Sequence, residues 1–389
     1  MRVLHLINAL NKGGIEKWLI SMLEEIPRDL CEMDVLCKGT DTGPWTETVE
    51  MLGATVYHFP LRPSHIGFVR GLSNTLRTGG YDLVHNHLHA YGGCATWVAR
   101  KAGIPVFTTL HSTWFGPENA WLSIPVLRHL RRVYATVSMR YSLRESDLVG
   151  CVSQAIIDYL KPENLGIAHK FRIMPHGVDV PEQPTDAERT AFRSEFGWPP
   201  HTPIVCHVGR FFPQKNHAMV IEVFSRVLPH VPNARLLLIG DGPLKSNIAS
   251  MIESRGMDES VLLVGLRDDV PSLLTKCDLF LFPSLVEGFG LAPLEGTAAG
   301  LPVVATRIPG LQEAVEDGIT AILHDVDDVN GMANSVVKLI TDPAYSTRIG
   351  EAGRIWVQKH FSRAAAAERL LTLYHECLGT SEMSLELPQ

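Results

Sequence analysis

Short apolar runs that alternate with helical periodicity, twice over, constrain this chain more than any other feature of it. In the first half, Val3–Ile7, Asp34–Cys37, Thr55–Phe59, Asp82–His87, Val106–Leu110, Leu148–Val152 and Arg172–Met174 read as strands, several bounded by Gly, Pro or Asn. Between the first two, Ile15, Leu19, Met22 and Leu23 recur at helical spacing. The rhythm breaks from Pro175 to Pro184, where turn formers and prolines gather. It restarts with Ile204–Val208, Arg235–Ile239, Val261–Val264, Leu279–Phe282, Val303–Ala305 and Ala321–Leu323. Leu236–Ile239 and Leu279–Phe282 are continuously apolar, as strands covered on both faces should be.

The expected fold is therefore α/β: two Rossmann-like, doubly wound parallel-sheet domains that face a central cleft. We expect an N-terminal domain over 1–178 and a C-terminal domain over 179–360. A closing helix and tail over 361–389 should pack back towards the N-terminal domain. The length agrees, since 389 residues exceed one ordinary core and suit two. In such sheets ligands bind beyond the carboxyl ends of the strands, so residues just after strands are the candidates for chemistry.

Charge and cysteines narrow the class. A net charge of −7 argues against a nucleic-acid partner, which usually calls for a basic excess. Seven cysteines with no C-x-x-C pair point to neither a disulfide framework nor a cysteine zinc site, and a reduced cytoplasmic setting is expected. No stretch approaches the roughly 18 consecutive apolar residues of a membrane span, and no signal core follows Val3–Ile7.

Two segments of the second half carry an anion-binding character. After Ile204–Val208, Gly209 lets the backbone turn, and Arg210 and Lys215 then project beyond the strand end, where two cations suit a diphosphate. A pair of solvated surface cations would have the same spacing. The run from Phe282 to Glu295 follows a buried strand and opens a helix, with Pro293 in the first turn. Its glycines let the backbone approach a ligand, and the N–H groups of Phe289, Gly290 and Leu291 would face an anion. Glu287 and Glu295 would be repelled by phosphate, so each better suits hydrogen bonds from sugar hydroxyls. The plainer assignment makes Glu287 a turn residue and Glu295 a helix-dipole partner.

Glu287-x7-Glu295, with Gly209-Arg210 and Lys215-Asn216-His217, resembles the donor site of the retaining glycosyltransferases of GT-B fold, family four. The likeness covers nearly the whole chain, through Gly13-Gly14-Ile15-Glu16, Gly240-Asp241-Gly242-Pro243 and Pro175 to Asp179, with His176 where the family often has asparagine. Its general look is similar to members that build bacterial polysaccharides. The resemblance implies that His111, Arg210, Lys215 and Glu287 are the catalytic set. It gives the diphosphate to Arg210 and Lys215, the ribose to Glu295, and donor sugar and phosphate to Glu287 and the backbone of Phe289, Gly290 and Leu291. Gly209 turns the loop, and the backbone near Gly265 and Leu266 would meet the base. The implied reaction moves a sugar from a nucleotide diphosphate, a UDP-sugar above others, to a saccharide, lipid-linked or small-molecule acceptor with retention. A GT-B-fold epimerase or phosphorylase, or a non-catalytic nucleotide-sugar binder, would share the architecture.

In the first half, Gly13 and Gly14 stand between strand and helix, able to close over phosphates. The segment lacks G-x-G-x-x-G, and strand two ends in Cys37-Lys38 rather than an acid, which argues against a dehydrogenase. His111 follows a strand end; the resemblance has it touch the donor sugar or the acceptor, and a structural histidine is the alternative. His85, His87 and His89 alternate, so they share one face if the strand persists, a spacing that can hold zinc. The resemblance instead puts this strand end at the acceptor mouth, with His87 and His89 as acceptor contacts. Asp325, Asp327 and Asp328 imitate a metal-binding D-x-D, but helix capping accounts for them. No cofactor and no divalent metal is expected. Finally, Arg128, Arg131, Arg132, Arg140 and Arg144, with Leu127, Leu130, Val133 and Tyr134 between them, would dock on the anionic inner face of a membrane or on a lipid diphosphate. A solvated helix face fits equally well.

Overall fold

The structure, a computed structural model, describes residues 1–11, 13–61, 65–111 and 125–380, the last segment with its side chains from 129 onwards. It divides into two compact units, one of Met1–Gly177 with Arg363–Gln389 and one of Val178–Ser362.

The first unit holds seven parallel strands: β1 (Arg2–Ile7), β2 (Glu32–Cys37), β3 (Val56–His58), β4 (Leu83–Asn86), β5 (Val106–Leu110), β6 (Leu148–Cys151) and β7 (Phe171–Ile173). Their order is β3-β2-β1-β4-β5-β6-β7, so the winding reverses between β1 and β4. Alternation along β1 sorts its side chains by face. Leu4 and Leu6 join Phe68, Leu72 and Leu76 of helix His65–Gly79. Val3 and Ile7 join Trp18, Leu19 and Met22 of helix Gly14–Glu25. That second face is completed from the far end of the chain. Helix Arg363–Leu378 lays Ala366, Ala367, Leu370, Leu371 and Tyr374 against it, one stripe at helical spacing. Ion pairs from Arg172 to Glu376 and from Arg363 to Glu24 flank the seam.

The second unit holds six parallel strands: β8 (Ile204–Val208), β9 (Arg235–Ile239), β10 (Val261–Gly265), β11 (Leu279–Phe282), β12 (Val303–Thr306) and β13 (Ala321–His324). The order β10-β9-β8-β11-β12-β13 reverses between β8 and β11. Val205, Leu236, Leu238, Leu279, Leu281 and Val304 pack on Val220, Phe224 and Val227 of helix His217–Val227 and on Met332, Val336 and Leu339 of helix Val329–Thr341. The strands expected from the sequence are all present in the expected order, their ends displaced by at most two residues. Each sheet is doubly wound, and in sheets of this kind ligands bind in the crevice that such a reversal opens beyond the strand ends. Among the described residues, no helix is long and apolar enough to cross a membrane.

Candidate active site

In the second unit the loops leaving β8 and β11 flank the reversal of the sheet, and they carry most of the expected residues. The loop after β8 is stitched to the loop after β9. Gly209 N–H donates to Ile239 O at 3.0 Å, and Phe211 N–H to Asp241 O at 2.9 Å. This close approach is why glycine stands at 240 and 242. Gly240 has φ +142, and a Cβ there would collide with Gly209 O; one on Gly242 would lie 2.8 Å from Phe211 N. Asn216, in the left-handed region, ends the Pro213–Lys215 turn and starts helix His217–Val227.

Lys215 reaches across to the next loop. Its ammonium lies 2.6 Å from Glu287 Oε1, and the two side chains are only 17% and 12% exposed. Ser284 Oγ donates to the same carboxylate oxygen at 2.6 Å, and Lys215 Nζ sits 4.9 Å from the Phe282 ring centroid. Leu285 N–H to Gln214 O at 2.8 Å joins the loops through their backbones as well. An ammonium has three donors, so the pair leaves Lys215 able to meet an oxyanion without moving. Arg210 is exposed, its guanidinium 4.4 Å from the Phe212 ring centroid, and among the described residues no carboxylate pairs with it.

Helix Leu291–Ala298 begins at Gly290, with φ +88 and no side-chain cap. Its first-turn amides therefore lack a side-chain acceptor and carry the positive end of the helix dipole. The loop before it is clamped. A Cβ on Gly310 would meet Glu287 O at 2.5 Å, and Phe289 turns inward with its ring 5.3 Å from that of Phe361. What Phe289 to Leu291 can offer a ligand is thus their backbone. Glu295 lies in the second turn, partly buried. β10 ends on Gly265, whose carbonyl accepts from Gly240 N–H at 2.9 Å, and Leu266 beyond it is 66% exposed.

Beside Lys215, His207 escaped the sequence reading, and His217 entered it only as the last residue of the Lys215-Asn216-His217 motif. His207, on β8, donates from Nδ1 to Leu281 O (2.9 Å), and among the described residues its Nε2 has no hydrogen-bond partner; His217 has none at either nitrogen. The acceptor there is a carbonyl, so Nδ1 of His207 carries the proton. Burial, with the charge of Lys215 adding to it, pushes His217 down to about 4.

In the first unit, Gly13 and Gly14 open helix Gly14–Glu25 as expected, and Glu16 Oε2 occupies the space a Cβ on Gly13 would need. The histidines depart from the expected strand face. β4 stops at Asn86, because the Asn86 side chain turns to Gly92 O (3.3 Å), Thr96 Oγ1 (3.1 Å) and Ser142 Oγ (3.2 Å) and accepts from Leu88 N–H at 3.0 Å. These bonds pull the backbone out of the strand, and His89 takes a left-handed φ of 46°. His85, His87 and His89 therefore do not line one strand face.

They join a larger cluster instead. His5 Nδ1 is 3.1 Å from His87 Nε2, His87 Nδ1 is 2.9 Å from His111 Nε2, and His111 Nδ1 is 2.9 Å from His176 Nε2. Tyr374 Oη lies 3.3 Å from His5 Nε2 and 2.6 Å from His85 Nδ1, and His85 Nε2 lies 2.6 Å from Thr109 Oγ1. His89 Nε2 receives the N–H of His111 at 3.4 Å. Trp18 stacks on His176 at 5.8 Å and meets His87 edge-on. Burial pushes His5 and His176 down to about 3 and His89 to about 4, and it holds His85, His87 and His111 well below 6.5, neighbouring imidazoles adding to the effect in these three. His5, His85 and His87 bring one nitrogen each within 4.8 Å of the others, and neutral imidazoles are zinc donors. Yet hydrogen bonds within the cluster already use both nitrogens of all three rings.

Two other sequence expectations find their place. Asp328 caps helix Val329–Thr341, accepting from Gly331 N–H at 2.8 Å, and pairs with His324. On helix Pro125–Glu145, Arg131 Nε donates to Tyr91 Oη at 2.8 Å and so is tied to the fold, while Arg132 is exposed. The Arg128 side chain lies outside the described residues. Leu130, Val133, Tyr134 and Val137 are all exposed at i, i+3, i+4 and i+7, a single outward apolar stripe.

Two family descriptions match the chain in tandem: Glycosyltransferase Family 4 over residues 12–182 and Glycosyl transferases group 1 over residues 188–356. The N-acetyl-alpha-D-glucosaminyl L-malate synthase of Bacillus anthracis is 28% identical over 83% of this chain and 82% of its own. An Escherichia coli UDP-Gal:alpha-D-GlcNAc-diphosphoundecaprenol alpha-1,3-galactosyltransferase is 24% identical over 85% of each. Among solved structures, HepE of Anabaena in complex with UDP and glucose superposes with a TM-score of 0.80 at 21% identity, covering 96% of this chain and 99% of that one. WaaG, a glycosyltransferase involved in lipopolysaccharide biosynthesis, gives 0.76 at 16% identity, over 96% and 99%.

Proposed function

This chain belongs to the family four glycosyltransferases of GT-B fold, enzymes that draw on nucleotide-sugar donors, and from that premise we propose a specific reaction. It transfers a sugar from a UDP-sugar to a saccharide or lipid-linked acceptor, with retention at the anomeric carbon and without a divalent metal. The observation that carries this reading is the Lys215–Glu287 pair, 2.6 Å apart, on the loops that flank the reversal of the second sheet.

Cleavage of the anomeric C–O bond leaves its electron pair on the departing diphosphate. Lys215, Arg210 and the amides that open helix Leu291–Ala298 meet that growing charge, and each such donor is worth about 3 kcal/mol in the transition state. Glu287, already bound to an ammonium and a hydroxyl, is a weak nucleophile and a better hydrogen-bond acceptor for a sugar hydroxyl. We therefore favour a same-face route: the acceptor oxygen bonds to the anomeric carbon, and its proton passes to the leaving phosphate oxygen. Trapping a covalent glycosyl-enzyme would refute it. Cations placed to neutralise the diphosphate, together with the use of Asp328 as a helix cap, support a reaction that runs without a metal ion. The UDP assignment draws on the uridine nucleotides in the names of the galactosyltransferase and of the HepE complex.

A panel of UDP-, GDP- and ADP-sugars, with and without EDTA, tests these points. The true donor at a hundred times its Kd should stabilise the protein by about 2.7 kcal/mol and release its nucleoside diphosphate when an acceptor is present. Stronger stabilisation by GDP- or ADP-sugars removes the UDP assignment; loss of turnover in EDTA removes metal independence. An acceptor-independent sugar isomer would instead mean an epimerase, a reading that the comparisons do not favour.

We further propose a cytoplasmic enzyme that touches the inner membrane face through the apolar stripe of helix Pro125–Glu145 and Arg132. Phosphatidylglycerol vesicles should sediment the protein and phosphatidylcholine vesicles should not; equal sedimentation of the Val133→Ser/Val137→Ser variant ends this part.

A further inference from the structure

We propose that Tyr374, His5, His87, His111 and His176 act as one tautomeric unit, in which every ring proton points the same way along the chain and a carbohydrate hydroxyl completes the chain at Nδ1 of His176. The hydroxyl rests on the glycosyltransferase reading above; the unit itself does not.

A neutral imidazole has one N–H donor and one bare acceptor nitrogen. In this chain, Nδ1 of each ring faces Nε2 of the next, at 3.1, 2.9 and 2.9 Å. If His5 carries its proton on Nδ1, His87 Nε2 must accept, so His87 carries its own on Nδ1, and the rule repeats through His111 to His176. Behind His5, the Tyr374 hydroxyl then donates to His5 Nε2 and accepts from His85 Nδ1–H, and Thr109 donates to His85 Nε2. Reversing every proton satisfies the same bonds. A mixed arrangement sets two donors or two bare nitrogens face to face in a dry interior, which is costly. Direction is therefore a collective property, set from either end.

The ends differ. Thr109 and His85 close one end inside the fold, whereas Nδ1 of His176 has no partner although the residue is only 4% exposed. A hydroxyl both donates and accepts, so it fits either direction, and carbohydrates are rich in hydroxyls. His111 has both ring nitrogens inside the chain, which makes it a positioning residue, with His87, His5 and Tyr374 behind it. Contact with the ligand falls to His176.

The test uses the full chain with ¹⁵N-labelled histidine and long-range ¹H–¹⁵N spectra, which distinguish the two tautomers without any substrate. His5, His87, His111 and His176 should share one tautomer; opposite tautomers at His87 and His111, or an imidazolium at either, overturn the unit. Tyr374→Phe keeps the ring and removes the link, so it should shift the His176 ring nitrogens from three imidazoles away. A variant that melts like the parent yet leaves His176 unmoved means that Tyr374 is structural only, and the proposal fails. With the nucleotide sugar that turns over in the panel, His176→Ala should lower kcat about tenfold, and His176→Asn, which both donates and accepts, should recover most of it. Equal losses in both variants overturn the hydroxyl contact. If no sugar turns over while the tautomers are uniform, the transferase reading fails alone.

Discussion

Lys215 and Glu287 hold each other before any ligand arrives, so removing either leaves the other charged, half-dry and unpaired. Lys215→Ala should lower kcat about a hundredfold. Glu287→Gln keeps the shape but loses the charge, and should cost about 2–3 kcal/mol of stability, below the full penalty of a buried pair because both groups retain some water. Nucleoside diphosphate release and urea unfolding of the two variants check this. Normal kcat with lowered stability would make the pair a strut between loops and nothing more. Both residues were legible beforehand, since a short motif after a strand carries them. The imidazole chain was not. Its successive partners are separated by 369, 82, 24 and 65 positions, and no local spacing encodes such contacts. His111 and His87 stood out singly as strand-end residues, but His5 and Tyr374 had no signal that would set them apart from ordinary core.

Helices and loops register strain where single atoms do not. Gly290→Ala must hold a Cβ at φ +88 against the movable end of the Leu311 side chain, which should cost about 1–3 kcal/mol and loosen the amides that open helix Leu291–Ala298. Gly240→Ala meets a backbone oxygen instead, which cannot step aside, so it should destabilise more than Gly290→Ala in parallel urea titrations. The reverse ranking would mean that the loops after β8 and β9 separate readily. At this scale the sequence was a good guide, because a strand buried on both faces has to be a continuous apolar run. At β4 it left open whether the strand persists through His85, His87 and His89. One side chain, Asn86, makes enough bonds to end it, and periodicity does not register such a competitor.

For the whole molecule, dry histidines make stability sensitive to mild acid. In the fold His5 and His176 titrate near 3 and His89 and His217 near 4, whereas in the unfolded chain each takes a proton near 6.5. Between those values the unfolded state binds more protons, so stability is fully present above about pH 6.5 and falls as pH drops towards 3–4. Each ring contributes a slope on the order of 1.4 kcal/mol per pH unit. Urea midpoints at pH 7.5, 6 and 5 should therefore fall steeply. A flat series would mean that these rings are charged in the fold. The two-sheet plan was legible from rhythm alone, and the closing helix was expected to return to the first domain; which sheet face each other helix covers was not legible, because an amphipathic stripe names no partner.

Helix Arg363–Leu378 also imposes an order on synthesis. Everything from Met1 to Gly177 leaves the ribosome with one side of its sheet only partly covered, and the helix that completes it follows the roughly 185 residues of the second unit. At ordinary translation rates that wait lasts about 10–40 s. The half that is made first is thus the half that is finished last, and released chains truncated after Ser362 should yield a protease-resistant second unit beside a first that is still cut.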